Sequence, residues 1–196
     1  MLAEKLGVSF YDKQIIQMAS DESGIDVKLF GQVEEGSSVK ASLFNKTGLY
    51  KGDLIAPDQK GFVSDENIFN YQAKVVTDLA EKESCVIIGR CADYVLREQP
   101  GVTSVFIYAD MNVRIACLME RRRITRDEAI TLIKKTDKSR RNYYECYTGK
   151  RWGAGASYDV TLNSAELGLD TCVDLICSLY ERKQEGEPIE EVEFLF

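Results

Sequence analysis

The sequence predicts an α/β fold on a parallel sheet. Two short, β-branched apolar runs, SCVIIG at 84–89 and VTSVFIYA at 102–109, have the look of strands covered on both faces. They alternate with segments of helical periodicity, the pattern of right-handed β-α-β crossovers. With 196 residues, 44% of them hydrophobic, the chain is long enough for one complete core, and we expect a single domain over 1–196.

Taken in order, residues 2–6 read as the end of a helix closed by Gly7, and VSFYD (8–12) as a short strand. A helix at about 13–22 carries Ile15, Ile16 and Ala19 on one face, and Asp26 caps another that runs to Glu35. Residues 36–64 hold four glycines, one proline and little periodicity, so they predict an irregular excursion or flap; its Leu43, Phe44, Leu49, Tyr50, Leu54 and Ile55 need apolar cover. Helical spacing returns at 66–82, leads into the strand at 84–89, and gives a further helix at 91–98 before the strand at 102–109. Then come a helix at 111–123, another capped by Thr125 with Glu128 completing a capping box, and a separate polar, aromatic helical stretch at about 138–147. YDVTLNS (158–164) predicts a strand and 170–183 a helix; EPIEEVEFLF at the end alternates like a strand, making 186–196 a strand-like tail.

Composition excludes several chemistries. There is no histidine, which removes Ser/His and Cys/His nucleophile pairs, and the six cysteines form no CxxC pair, so no metal site is expected. The remaining tools are carboxylates, Lys, Arg and Tyr. No run of about 18 apolar residues exists, so no membrane-spanning helix is expected, and a cytoplasmic location follows from the absence of a secretory signal pattern. Net charge is −7, yet residues 114–151 hold twelve Lys/Arg against five Asp/Glu, while the rest holds thirteen against twenty-seven. A basic island in an acidic chain points to a local polyanion site, with phosphate the leading ligand; general RNA binding is disfavoured by the overall charge.

Three stretches, CVIIGRCADYVL (85–96), TDKSRRNYYECYTGKRWG (136–153) and YDVTLNSAELG (158–168), with YDKQII (11–16) as a weaker fourth, resemble the cytidylate kinase-like branch of the P-loop nucleoside monophosphate kinases. The resemblance implies a three-layer parallel sheet of strand order 2-3-1-4-5, a basic lid over 121–153, and transfer of the γ-phosphoryl of ATP to CMP or dCMP with Mg²⁺. Such transfer depends on positioning and charge compensation, which Arg, Lys and Mg²⁺ supply without histidine.

Carried over residue by residue, the resemblance makes Arg90 the grip on the acceptor phosphate, with Asp12 and Asp93 meeting the acceptor nucleoside. A guanidinium suits an oxyanion bidentately; the structural alternatives are a surface ion pair for Arg90 and a helix cap for Asp93. Arg121, Arg122 and Arg123 correspond to donor-nucleotide contacts, although a helix C-terminus favours cations in any case. Arg140 and Arg141 resemble lid arginines that spread charge over the transferring group. Tyr143, Tyr144, Tyr147 and Trp152 are expected to pack rather than stack on a base.

The glycine-rich phosphate loop is missing: Gly149-Lys150 is followed by Arg151, and Met1 stands within the helix that would follow such a loop. The expectation is therefore a sheet lacking strand 1 and little or no transfer by the chain as written, with a non-catalytic nucleotide-binding or regulatory protein as the alternative; a loop encoded upstream, with Met1 an internal methionine, would account for the gap equally. Ile189–Phe196 is a candidate to pair with an open strand edge, in the same molecule or in a homo-oligomer.

Overall fold

The computed structural model describes residues 1–35 and 52–185. Residues 36–51 of the expected flap and the strand-like tail at 186–196 lie outside the described residues. Nine α-helices and four strands are seen among those described: α1 (Leu2–Leu6), β1 (Ser9–Tyr11), α2 (Gln14–Ser23), α3 (Val27–Glu34), α4 (Asp65–Lys82), β2 (Cys85–Ile87), α5 (Ala92–Val95), β3 (Val105–Tyr108), α6 (Met111–Arg122), α7 (Arg126–Thr148), β4 (Val160–Asn163), α8 (Ser164–Leu167) and α9 (Leu169–Glu185).

Both ladders are parallel. β1 pairs with β2, Phe10 opposite Val86, and β3 pairs with β4, Phe106 opposite Thr161. No ladder joins the two pairs among the described residues, so the expected continuous sheet is seen as two separate two-stranded pieces. Helices bridge them instead. Leu2 of α1 packs with Val105, Val160 and Leu162 while Lys5 pairs with Asp174 of α9. At the other end of α9, the Tyr180 hydroxyl donates to Ser84 Oγ just before β2, and Lys183 Nζ donates to the Val102 carbonyl (2.8 Å) just before β3.

The main core lies over β1 and β2. Ile15 and Ala19 of α2, Phe30 and Val33 of α3, Ile68, Phe69 and Val76 of α4, and Tyr143, Tyr144 and Tyr147 of α7 bury together. The Phe69 and Tyr147 rings stack with centroids 4.1 Å apart, so the tyrosines pack, as their spacing predicts. Smaller clusters sit in the α6–α7 hairpin (Ile115, Ala129, Ile133) and beneath α9 (Leu162, Cys172, Ile176).

Two departures from the sequence expectation have plain causes. The helix expected in two parts runs unbroken from Arg126 to Thr148: no Gly or Pro interrupts it, and Asp137, where the break was expected, is held bidentately by Arg114 of α6 at 2.7 Å to each oxygen. Its start carries the expected capping box. The helix expected at 91–98 shrinks to one turn, α5: left-handed Cys91 sets its start, and after Val95 the chain continues in turns closed by Arg97 on the Tyr94 carbonyl and Gln99 on the Leu96 carbonyl. Of the irregular segment, residues 52–64 are tied to α4: Asn67 accepts from the Ile55 amide (2.8 Å) and donates to the Phe62 carbonyl (2.7 Å), and Asn70 donates to the Asp53 carbonyl (2.6 Å).

Candidate acceptor phosphate site

The site begins at the carboxyl end of β2, where ligands gather in open parallel α/β sheets. Gly89, Arg90 and Cys91 follow the strand with φ of 71°, 53° and 55°, three successive left-handed residues. For the two non-glycine residues that conformation costs roughly 1–2 kcal/mol each, and it persists because neighbours hold it. The turn folds the Arg90 side chain inward until only 8% of it is exposed.

Two carboxylates meet that guanidinium. Asp12, just beyond β1, accepts from Nη1 at 2.8 Å, and Nη1 also donates to the Ile88 carbonyl at 3.0 Å. Glu34, the last residue of α3, places Oε1 3.0 Å from Nε. That second approach is an ion pair without a hydrogen bond: among the described residues the buried Nε–H has no acceptor in line. A buried donor left unmet costs about 1–3 kcal/mol, which makes it the most informative atom of the site.

Behind Glu34 a polar chain runs into the core. Gln72 Nε2 of α4 makes a long 3.5 Å contact with Glu34 Oε1, while Gln72 Oε1 accepts from the Tyr143 hydroxyl at 2.6 Å. Ser139 Oγ donates to the Glu34 carbonyl at 3.1 Å, so α7 touches α3 at the same place. Burial pushes the Glu34 carboxyl above its ordinary range and outweighs the opposing pull of Arg90; Asp12 pushes the same way as burial. Burial also holds the Tyr143 phenol well above its usual value.

The expected site residues are distributed as follows. Arg90 and Asp12 are brought into direct contact. Asp93 has a different partner: its Oδ2 accepts from the Tyr144 hydroxyl at 2.7 Å, and it lines an open cleft of about 470 Å³ with Arg97, Lys150, Tyr158 and Lys183. Burial raises the Asp93 carboxyl, against the Tyr144 hydrogen bond and the Lys150 charge. Arg140 and Arg141 are exposed on α7, next in sequence to Ser139 but on other faces of the helix. Arg121 and Arg122 end α6, and Arg123 caps it in a left-handed conformation. All three are exposed at the far tip of the α6–α7 hairpin, about 20 Å along α7 from Arg140 at 1.5 Å per residue. Sequence reasoning missed Glu34 and Gln72. The one available signal was a glutamine on the helix-periodic stretch beside Ala73 and Val76, where a purely apolar face would be expected.

A family model for the cytidylate kinase-like family matches residues 1–166, which include β1, β2, the Arg90 turn and the whole of α7. The chain belongs to the cytidylate kinase-like family. Kinase-like nucleotide chemistry in general is thereby the family's province. A crystal structure of an uncharacterized protein from Eubacterium ventriosum ATCC 27560 is similar, with 32% identity and a TM-score of 0.57 over 60% of this chain and 74% of that one. No curated protein matches the sequence. Among the described residues no helix is long and apolar enough to cross a membrane.

Proposed function

We propose that the Arg90 cluster is the acceptor site of a nucleoside monophosphate kinase-like protein, with Arg90 holding the 5′-phosphate of CMP or dCMP. The observation that supports this reading is the buried Nε–H without an acceptor, on an arginine held at the carboxyl end of a parallel strand. A phosphate oxygen completes that donor, and Nη2, which has no partner among the described residues, offers the second prong of a bidentate fork. Asp12 then serves both as a brace for Arg90 and, 40% exposed, as a contact for the acceptor nucleoside. Asp93 joins it through the polar cleft on its own side of α5.

In the family reaction ATP is the donor, and Arg140 and Arg141 compensate charge on the transferring phosphoryl group, with Arg121, Arg122 and Arg123 reaching the donor nucleotide. Mg²⁺ in that reaction would come bound to the nucleotide phosphates. The donor-phosphate loop of the family has no counterpart within residues 1–196, so transfer by this polypeptide alone is expected to be weak.

We also read the two ladders as two sides of one sheet of order 2-3-1-4-5, with strand 1's place lying between β2 and β3. Exposed Ile88, Ile107 and Tyr108 along those strands support this, as does the bridging by α1 and α9. An edge of this kind is where Ile189–Phe196, or a second copy of the chain, would pair. Removing 188–196 should lower the melting temperature or change the oligomer seen in sedimentation; no effect on either removes that part of the proposal.

Titration calorimetry with CMP tests the central claim. Binding by the wild-type chain that Arg90→Lys weakens about tenfold or more is expected; equal binding by both proteins, or none by either, overturns it. A coupled ATP-dependent assay with ordinary turnover would refute the expected inactivity.

A further inference from the structure

The Arg90 site holds more negative charge than one guanidinium needs. Asp12 and Glu34 both reach Arg90, and the other cation acting on Glu34 is Lys13, at the start of α2. A dianion arriving on Nε would meet two carboxylates already in place. Like charges crowded at one site are relieved most cheaply when one of them takes up a proton.

We infer that Glu34 is a proton-linked counter-ion for Arg90: it neutralises the guanidinium before an oxyanion binds and takes up one proton as the oxyanion enters. The inference rests on the reading of Arg90 as the phosphate grip.

Several observations select Glu34 over Asp12. Its side chain is 25% exposed against 40% for Asp12, so its charge is the less well hydrated of the two. Asp12 makes a true hydrogen bond to Nη1, whereas Glu34 sits beside Nε without receiving its hydrogen, so an oxyanion can claim that donor without breaking a hydrogen bond. Among the described residues, the one hydrogen bond donated to the Glu34 carboxylate is the long contact from Gln72, whose own carbonyl is committed to Tyr143. The groups facing it are Arg90 and the buried Cys91 thiol after β2, Asp12 after β1, Lys13, Gln72 of α4 and Tyr143 of α7, with Ser139 on its backbone carbonyl; burial raises the Cys91 thiol well above its ordinary value, so it is no source for the proton. Burial raises the Glu34 carboxyl in the same direction, and Tyr143, held well above its usual range, is no source for the proton. The step is balanced simply: one proton from solvent forms one O–H bond on the carboxylate, no other bond changes, and the neutral carboxyl becomes a donor to the anion it has admitted.

Sulfate is the cleanest probe, because its charge does not change between pH 5.5 and 8 and any pH dependence belongs to the protein. Calorimetry of sulfate and of CMP binding to the full chain, each in two buffers of different ionisation enthalpy, should show net uptake approaching one proton for sulfate. Sulfate affinity should fall as pH rises, by at most about tenfold per unit for a single linked proton. Glu34→Gln should bind sulfate more tightly than wild type at pH 8, with no proton uptake and a flat pH profile, while Asp12→Asn keeps the uptake. Absence of proton uptake by wild type, or a Glu34→Gln protein that keeps the wild-type pH profile, overturns the inference. The uptake measurement on wild type decides even where a variant fails to fold. Sulfate binding that is unchanged in Arg90→Lys would instead overturn the reading of Arg90.

Discussion

Arg90 and the Arg121–Arg123 cluster are both arginine sites, and although Arg90 and Arg123 share a left-handed backbone, the two sites differ in burial and in partners. Arg90 stands alone, almost wholly buried, in a left-handed turn, with carboxylates from two other elements fixing its plane. The three arginines at the end of α6 are exposed, side by side, and make no ion pair among the described residues. A sequence shows the second site more loudly than the first, since three adjacent arginines stand out and one does not. Burial with an unmet donor is the stronger sign of a ligand, because exposed guanidinium groups are already satisfied by water.

If that contrast is right, substitutions should grade accordingly. The largest effect belongs to the packing that holds the Arg90 side of the molecule: Phe69→Ala, which removes the ring stacked on Tyr147, should lower stability by about 3–5 kcal/mol in urea unfolding. Next, Arg90→Ala should abolish measurable CMP binding in calorimetry while leaving two buried-side carboxylates without their cation, so a lower melting temperature should accompany it. Tyr143→Phe should cost about 1–3 kcal/mol, since it leaves the buried Gln72 carbonyl unmet, and it tests whether the polar chain from α7 contributes to the site's order.

Asp93→Asn gives a smaller effect with a definite sign. Burial raises the Asp93 carboxyl in the folded chain, so its contribution to stability is complete below the ordinary aspartate value of 3.8 and is lost as pH rises through the raised value. Relative to wild type, the variant should therefore gain stability between pH 4 and 7 in parallel urea titrations; a difference that shrinks or stays level contradicts the assignment. Smallest of all, replacing Arg121, Arg122 and Arg123 together by Ser should change stability by no more than about 0.5 kcal/mol. A large loss there would erase the contrast between the two arginine sites.

Much of the fold was legible because it is written locally. The strand at 85–87 lies within a continuous apolar run, Asp26 and Thr125 cap the helices they precede, and the tyrosines of α7 fall at core-facing spacing. Arg90 and Asp12 were legible as a pair only through family resemblance, which carries positions and not contacts. Glu34 was invisible because its meaning is a distance to a residue 56 positions away, set by the docking of α3 on α4 and α7. The buried polar face of α4 misleads for a related reason: Asn67 and Asn70 look solvated, yet they hydrogen-bond the backbone of residues 53–62, whose irregular path no periodicity announces.

The left-handed run Gly89-Arg90-Cys91 has a consequence for how the protein matures. Local support for that turn amounts to Gly89 at its first position, the Ala92 amide on the Gly89 carbonyl and Arg90 Nη1 on the Ile88 carbonyl, which is little to set against two left-handed non-glycine residues. Arg90 is aligned by Asp12 after β1 and Glu34 of α3, both distant in sequence, so competence to hold an anion belongs to the packed state and not to the turn alone. Anion affinity then doubles as a report on conformational completeness, and a bound oxyanion, which selects the finished state, would act on this chain as a pharmacological chaperone does.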